Sequence, residues 1–97
     1  MWQNITLNGR TYRVGVAANR IAAFAMEARE RGNRSQEAAL LDTFAGMVRC
    51  DRRNAWGIVR KMDQANLIHH PESLAKRFPQ GGREYIEHLR AFGYVSE

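Results

Sequence analysis

Thr43-Phe44-Ala45-Gly46-Met47-Val48-Arg49-Cys50-Asp51-Arg52-Arg53-Asn54-Ala55-Trp56-Gly57-Ile58-Val59-Arg60-Lys61-Met62-Asp63-Gln64-Ala65-Asn66-Leu67-Ile68 is the stretch on which the fold turns. Leu41, Phe44, Ala45 and Val48 fall at i, i+3, i+4, i+7, and Ala55, Ile58, Val59 and Met62 repeat that spacing. Each set lines one side of a helix, so the pattern predicts helices over about 36–48 and 52–65 with a very short turn between them. Ser35 is the predicted N-cap of the first, with Glu37 in its opening turn. Asp51 is the predicted cap of the second, and Asn66 the residue that ends it in the left-handed conformation.

Charge concentrates on the same stretch. Between residues 49 and 61 stand Arg49, Arg52, Arg53, Arg60 and Lys61 against the single acid Asp51. On a helix, Arg52, Arg53, Trp56, Gly57 and Arg60 share the side opposite the apolar stripe. One helix braced by another across a tight turn is narrow enough for the major groove of duplex DNA. In that pose Arg52, Arg53 and Asn54 reach base edges or phosphates, Arg60 and Lys61 meet the backbone, and Arg49 adds charge at the turn. Trp56 is expected either to pack in the core or to meet a thymine methyl, a sugar or a partner's pocket. The plain alternative is a solvated polar face on a core helix.

Residues 43–68 resemble the central helix-turn-helix of winged-helix regulators of the multiple-antibiotic-resistance type. The similarity rests on Phe44-Ala45 and Val48 in the supporting helix, Asp51-Arg52-Arg53-Asn54 opening the second, and Asn66-Leu67-Ile68 at its exit. It implies a helix-turn-helix, winged-helix-like domain that binds double-stranded DNA as a homodimer. Three features depart from the family's pattern. Arg49 stands where glycine is usual, Gly57 interrupts the second helix at about 1 kcal/mol against alanine, and no basic β-hairpin follows Leu67-Ile68. A rearranged version would pair Leu67-Ile68-His69 with strands elsewhere in the chain.

Such strands are predicted at the start. Ile5-Thr6-Leu7 and Arg10-Thr11-Tyr12-Arg13-Val14 flank Asn8-Gly9, the pair that a type I′ turn requires, so a hairpin is expected with strands at about 3–7 and 10–14. Trp2 is expected to anchor it. An alanine-rich helix follows over 17–31, with Ile21, Phe24, Ala25 and Ala28 on one side and Gly32-Asn33 as its stop. Beyond Ile68 the sequence predicts a short helix over 71–77 opened by Pro71, a flexible Gly81-Gly82 pair, and a last helix over 83–92 ended by Gly93. The expected fold is one mostly α domain with a small N-terminal β-hairpin.

Composition narrows the function classes. The 97 residues suit one domain, and 44% hydrophobic with 26% charged residues is ordinary globular usage. The formal charge of +5 attracts polyanions. Only Lys61 and Lys76 of the 15 basic residues are lysine, a bias that suits phosphate and guanine but that a G- and C-rich coding sequence would also produce. No apolar run is long enough to cross a bilayer and Met1-Trp2-Gln3-Asn4 does not read as a secretory leader, so a cytoplasmic protein without membrane contact is expected. Cys50 is the lone cysteine. It is expected to be a small buried turn residue, the alternative being a thiolate favoured by Arg49 and Arg52. His69, His70 and Glu72 fall short of a closed zinc site. No catalytic constellation is present, so neither an enzyme nor a cofactor is expected. The reading from a different class is a protein-interaction module, an adaptor or assembly factor docking through Trp56, Phe44 or Tyr94. For the homodimer, the alanine-rich face of 17–28 is the expected contact.

Overall fold

Asn8 and Gly9 carry positive φ values of 53° and 80°, and the chain reverses there. The strands they join, β1 (Trp2–Leu7) and β2 (Arg10–Gly15), pair antiparallel from Trp2 opposite Gly15 to Leu7 opposite Arg10. Among the residues that the computed structural model describes, five helices follow: α1 (Val16–Glu30), α2 (Arg34–Val48), α3 (Arg52–Gln64), α4 (Glu72–Arg77) and α5 (Gly82–Ala91). The structure describes residues 2–70 and 72–94. The predicted opening of α4 at Pro71 and the residue after Tyr94 lie outside them. Among the described residues no helix is long and apolar enough to cross a membrane.

The fold is mostly helical with an N-terminal hairpin, as the sequence predicts, and every predicted element is present within three residues of its expected bounds. Helix ends explain much of that agreement. At the end of α1 the amides of Gly32 and Asn33 donate to Arg29 O and Ala28 O. At the end of α3 those of Asn66 and Leu67 donate to Asp63 O and Met62 O, and after α5 those of Gly93 and Tyr94 to Arg90 O and Leu89 O. In each, a left-handed Gly or Asn turns the chain so that the last free carbonyls are satisfied.

Two caps differ from expectation. The N-cap of α2 is Asn33, whose Oδ1 accepts from the Gln36 amide at 3.2 Å; Ser35 sits inside the helix and donates to that same Oδ1. Asn33 wins because it ends one helix and begins the next, leaving no room for a longer link. Asp51 is at the N-cap of α3 but caps no amide with its carboxylate, which pairs instead with Arg53.

α1 is the centre of the domain. Its buried residues, Ala18, Ile21, Ala22, Ala23, Phe24, Ala25 and Ala28 among them, span more than one side, because alanines let neighbouring elements approach closely from several directions. α2 packs along it, α5 closes over both, and α3 lies on α2 and β1. The 17–28 face is therefore consumed inside the fold, which corrects its expected role as the dimer contact.

Among the described residues no third strand forms, and the sheet has two. Residues 67–69 dock on the hairpin and α1 through side chains. The buried Asn19 amide donates to Leu67 O and to Gln3 Oε1, both at 2.8 Å, and its Oδ1 accepts from the His69 amide at 3.0 Å. Gln3 Nε2 also donates to Leu67 O. A polar side chain at 2% exposure is thus fully satisfied.

Candidate nucleic-acid interface

α2 and α3 are joined by residues 49–51, and the turn uses Arg49 in the left-handed region at φ 59°, ψ 51°. A non-glycine residue there costs roughly 1 kcal/mol. The turn keeps its left-handed residue although glycine is absent, and it leaves the Arg49 side chain in solvent. The Cys50 amide donates to Ala45 O, closing the end of α2.

α3 buries Ala55, Ile58, Val59 and Met62, the stripe read from the sequence. Its other sides divide in a way the sequence does not reveal. The hairpin runs beside the helix. Leu7 packs against Gly57, where an added Cβ would stand 3.0 Å from Leu7 Cδ2, and Lys61 Nζ donates to Thr6 O. Gly57 is therefore a seat for Leu7, not part of an open groove-facing side, and Lys61 is tied to the hairpin. On the opposite flank Trp56 is half-buried, as core packing would have it in part, with the Arg29 guanidinium 4.1 Å over its ring in a cation–π contact. Asn54 is half-buried as well.

What remains outward is an arginine ridge of reduced charge. Arg53 and Arg60 are exposed on α3, with Arg49 at its foot and Arg52 on one edge. Arg52 Nε lies 2.6 Å from Asp42 Oδ1, and Arg53 lies 3.4 Å from Asp51 Oδ2. Both pairs are open to water, so each is weak and can exchange for another anion. Among the described residues no carboxylate pairs with Arg49 or Arg60.

Of the seven sequence-predicted site residues, the structure leaves Arg49, Arg52, Arg53 and Arg60 exposed, half-buries Asn54 and Trp56, the latter beneath Arg29, and ties Lys61 to Thr6 O. Arg10 was missed. It stands at the start of β2, near enough to the turn for its charge to act on Cys50. Cys50 itself is half-buried, and burial followed by the Asp51 charge raises its thiol above the ordinary 9.0, against the opposing pull of Arg10. The thiolate reading is corrected accordingly. The partner Asp42 was also missed, since no spacing rule links residues on different helices.

The anchors considered for protein docking fare unequally. Phe44 is fully buried and cannot meet a partner, Trp56 is covered by Arg29, and Tyr94 is exposed. Trp2 does not anchor the hairpin from within: it is 62% exposed, with Arg13 stacked 4.5 Å from its ring. Among the described residues no cluster of three or more His, Cys, Asp or Glu gathers to hold a metal. Comparison with protein-family models, with curated proteins and with solved structures finds no match for this chain.

Proposed function

We propose that this chain is a cytoplasmic, non-enzymatic protein that binds duplex DNA through the outer side of α3, with the hairpin tip beside it in the position of a wing. One observation carries the proposal: Arg49 and Arg60 are solvent-facing and unpaired among the described residues, and Arg53 beside them is held only by a weak exposed carboxylate contact. Arg53 and Arg60 lie two turns apart on α3, with Arg49 at the foot of the helix, so the ridge follows its length as a phosphate track would require. Arg10 adds charge from the hairpin. Lys61, Asn54 and Trp56 act here as supports of α3 and not as contacts.

The test is a gel-shift against random-sequence duplex at two salt concentrations. With about four phosphate contacts, binding should weaken with a log–log salt slope of about −3 to −4. The double variant Arg53→Ala, Arg60→Ala should lower affinity at least tenfold while leaving the circular dichroism spectrum unchanged. Salt-independent retention, or a variant that binds as well as the parent, removes the proposal. Sedimentation of the free chain tests the homodimer, whose contact must lie elsewhere than the buried face of α1.

A second reading, a protein-interaction module, is favoured by a separate observation. Trp2, Val16 and Tyr94 are all exposed and all line one apolar groove on the side of the hairpin's open end.

A further inference from the structure

The groove has a volume of about 500 Å³ and runs between the open end of the hairpin and the C-terminal helices. Its floor is apolar: Ala17 and Ala18 of α1, Leu74 and Phe78 from the α4 region, and Leu89 of α5. Three of its walls are large apolar side chains left in solvent, Trp2 at 62%, Val16 at 45% and Tyr94 at 67% exposure. Phe92, 67% exposed, continues the patch, its ring 4.7 Å from that of the lining His88. Isolated exposed apolar residues need no explanation, but three large ones lining one cavity with a fourth beside it mark a surface that something covers.

Charge says what covers it. Arg20 and Arg77 line the groove, Arg13 lies over the Trp2 ring, and among the described residues no carboxylate forms an ion pair with any of the three. No Asp or Glu is among the described lining residues. A second copy of this chain is a poor occupant, since a two-fold contact would set one arginine rim against another on a molecule already at +5. Single-stranded nucleic acid is also disfavoured. It needs a continuous cationic track, whereas this cavity has two lining arginines around an aliphatic floor that fits an alkyl or aryl side chain.

We propose that this groove docks an acidic peptide segment of a partner protein, with a large apolar side chain seated between Trp2 and Tyr94 and carboxylates on Arg20 and Arg77. The inference rests on the protein-interaction reading and is independent of DNA binding by α3. Aromatic walls and a fork-shaped cation at the rim are the residue types that carry most binding energy at such sites.

The test is selection of a random dodecapeptide library, displayed on yeast, against the full-length protein. Recovered peptides should be enriched in Asp and Glu around an aromatic or aliphatic residue. Their affinity should fall about tenfold or more for Trp2→Ala and for Arg77→Glu, each still folded by circular dichroism and thermal unfolding. Arg53→Glu with Arg60→Glu should leave peptide binding unchanged, which separates failure here from failure of the α3 proposal. Recovery without acidic enrichment overturns the inference. So does binding that ignores Trp2→Ala and Arg77→Glu, displacement of the peptides by oligothymidylate at equal concentration, or a chain dimer that Trp2→Ala dissolves.

Discussion

Gly82 rests directly beneath Leu40, so that a Cβ on it would stand 2.6 Å from Leu40 Cδ2 and 3.0 Å from Phe24 Cβ. α5 can approach α1 and α2 so closely only because its first residue has no side chain. Leu40 is fully buried, so its methyl groups have no open space to swing into, and Phe24 Cβ belongs to a second packed side chain. Gly82→Ala should therefore lower stability by about 2 kcal/mol through overpacking, and the thermal midpoint by roughly 10 °C. Differential scanning calorimetry checks this; a midpoint equal to the parent's would mean that α5 is free to shift outward.

Asn19→Asp changes shape little but removes the two donations to Leu67 O and Gln3 Oε1. A carboxylate would face two acceptor oxygens in a buried site, and a loss of about 2–4 kcal/mol is expected at neutral pH. The protonated acid can donate one hydrogen bond, so the folded state would raise this group's pKa. Stability is then greatest at low pH and falls as pH rises through the raised folded value. Urea midpoints at acid and neutral pH measure it, and equal losses at both would contradict the assignment.

The Asp42–Arg52 pair is exposed on both sides, and its contribution to stability should be below about 1 kcal/mol. Its effect on binding should be larger. Asp42→Asn frees Arg52 for phosphate and removes a repelling charge, so duplex affinity at low salt should rise several-fold while the thermal midpoint scarcely moves. Unchanged affinity would exclude Arg52 from the interface.

Arg49→Gly separates strain from charge. Glycine relieves the left-handed backbone, which after its greater freedom in the unfolded chain should leave a net gain of no more than about 0.5 kcal/mol. The same change deletes one cation beside α3, and the salt slope of duplex binding should shrink by about 1. Fluorescence titration at four salt concentrations and a urea melt read the two effects. A slope that stays the same would place Arg49 off the nucleic acid.

Cys50 and Tyr85 both have pKa values raised chiefly by burial, above the ordinary 9.0 and 10.0. For Tyr85, Arg20 pulls the other way. Each group holds its proton more tightly folded than unfolded, so its contribution is fully present below the unfolded value. It is lost as pH rises through the folded one. Denaturation midpoints should be flat near neutrality and decline above about pH 9 to 10. Alkylation of Cys50 by iodoacetamide at pH 7.5 should be slower in the native protein than in urea.

Local signals account for what the sequence made legible. Asn8-Gly9, Gly32, Asn66 and Gly93 all take the positive φ expected of them, and the apolar spacings of α2 and α3 match their buried residues. The unexpected features are those set by residues distant along the chain. Whether Gly57 faces solvent depends on Leu7, whether Arg52 is available depends on Asp42, and whether Trp56 is open depends on Arg29. Helical periodicity can say which side of α3 is apolar but not what a strand some fifty residues earlier lays against the remainder. The alanine-rich helix misled for a related reason: small residues read as a smooth contact face, and here the covering partners are α2 and α5 of the same chain.

The clamp on Asn19 also bears on how the chain comes to be folded during synthesis. The groups that saturate it belong to residues 3, 67 and 69. A ribosome that has released only the hairpin and the first two helices has therefore made an interior amide with most of its mates still in the exit tunnel. Locking of the segment around Asn19 must wait for His69 to emerge, some fifty residues later in translation. Nascent chains stalled short of that point should be open to proteases.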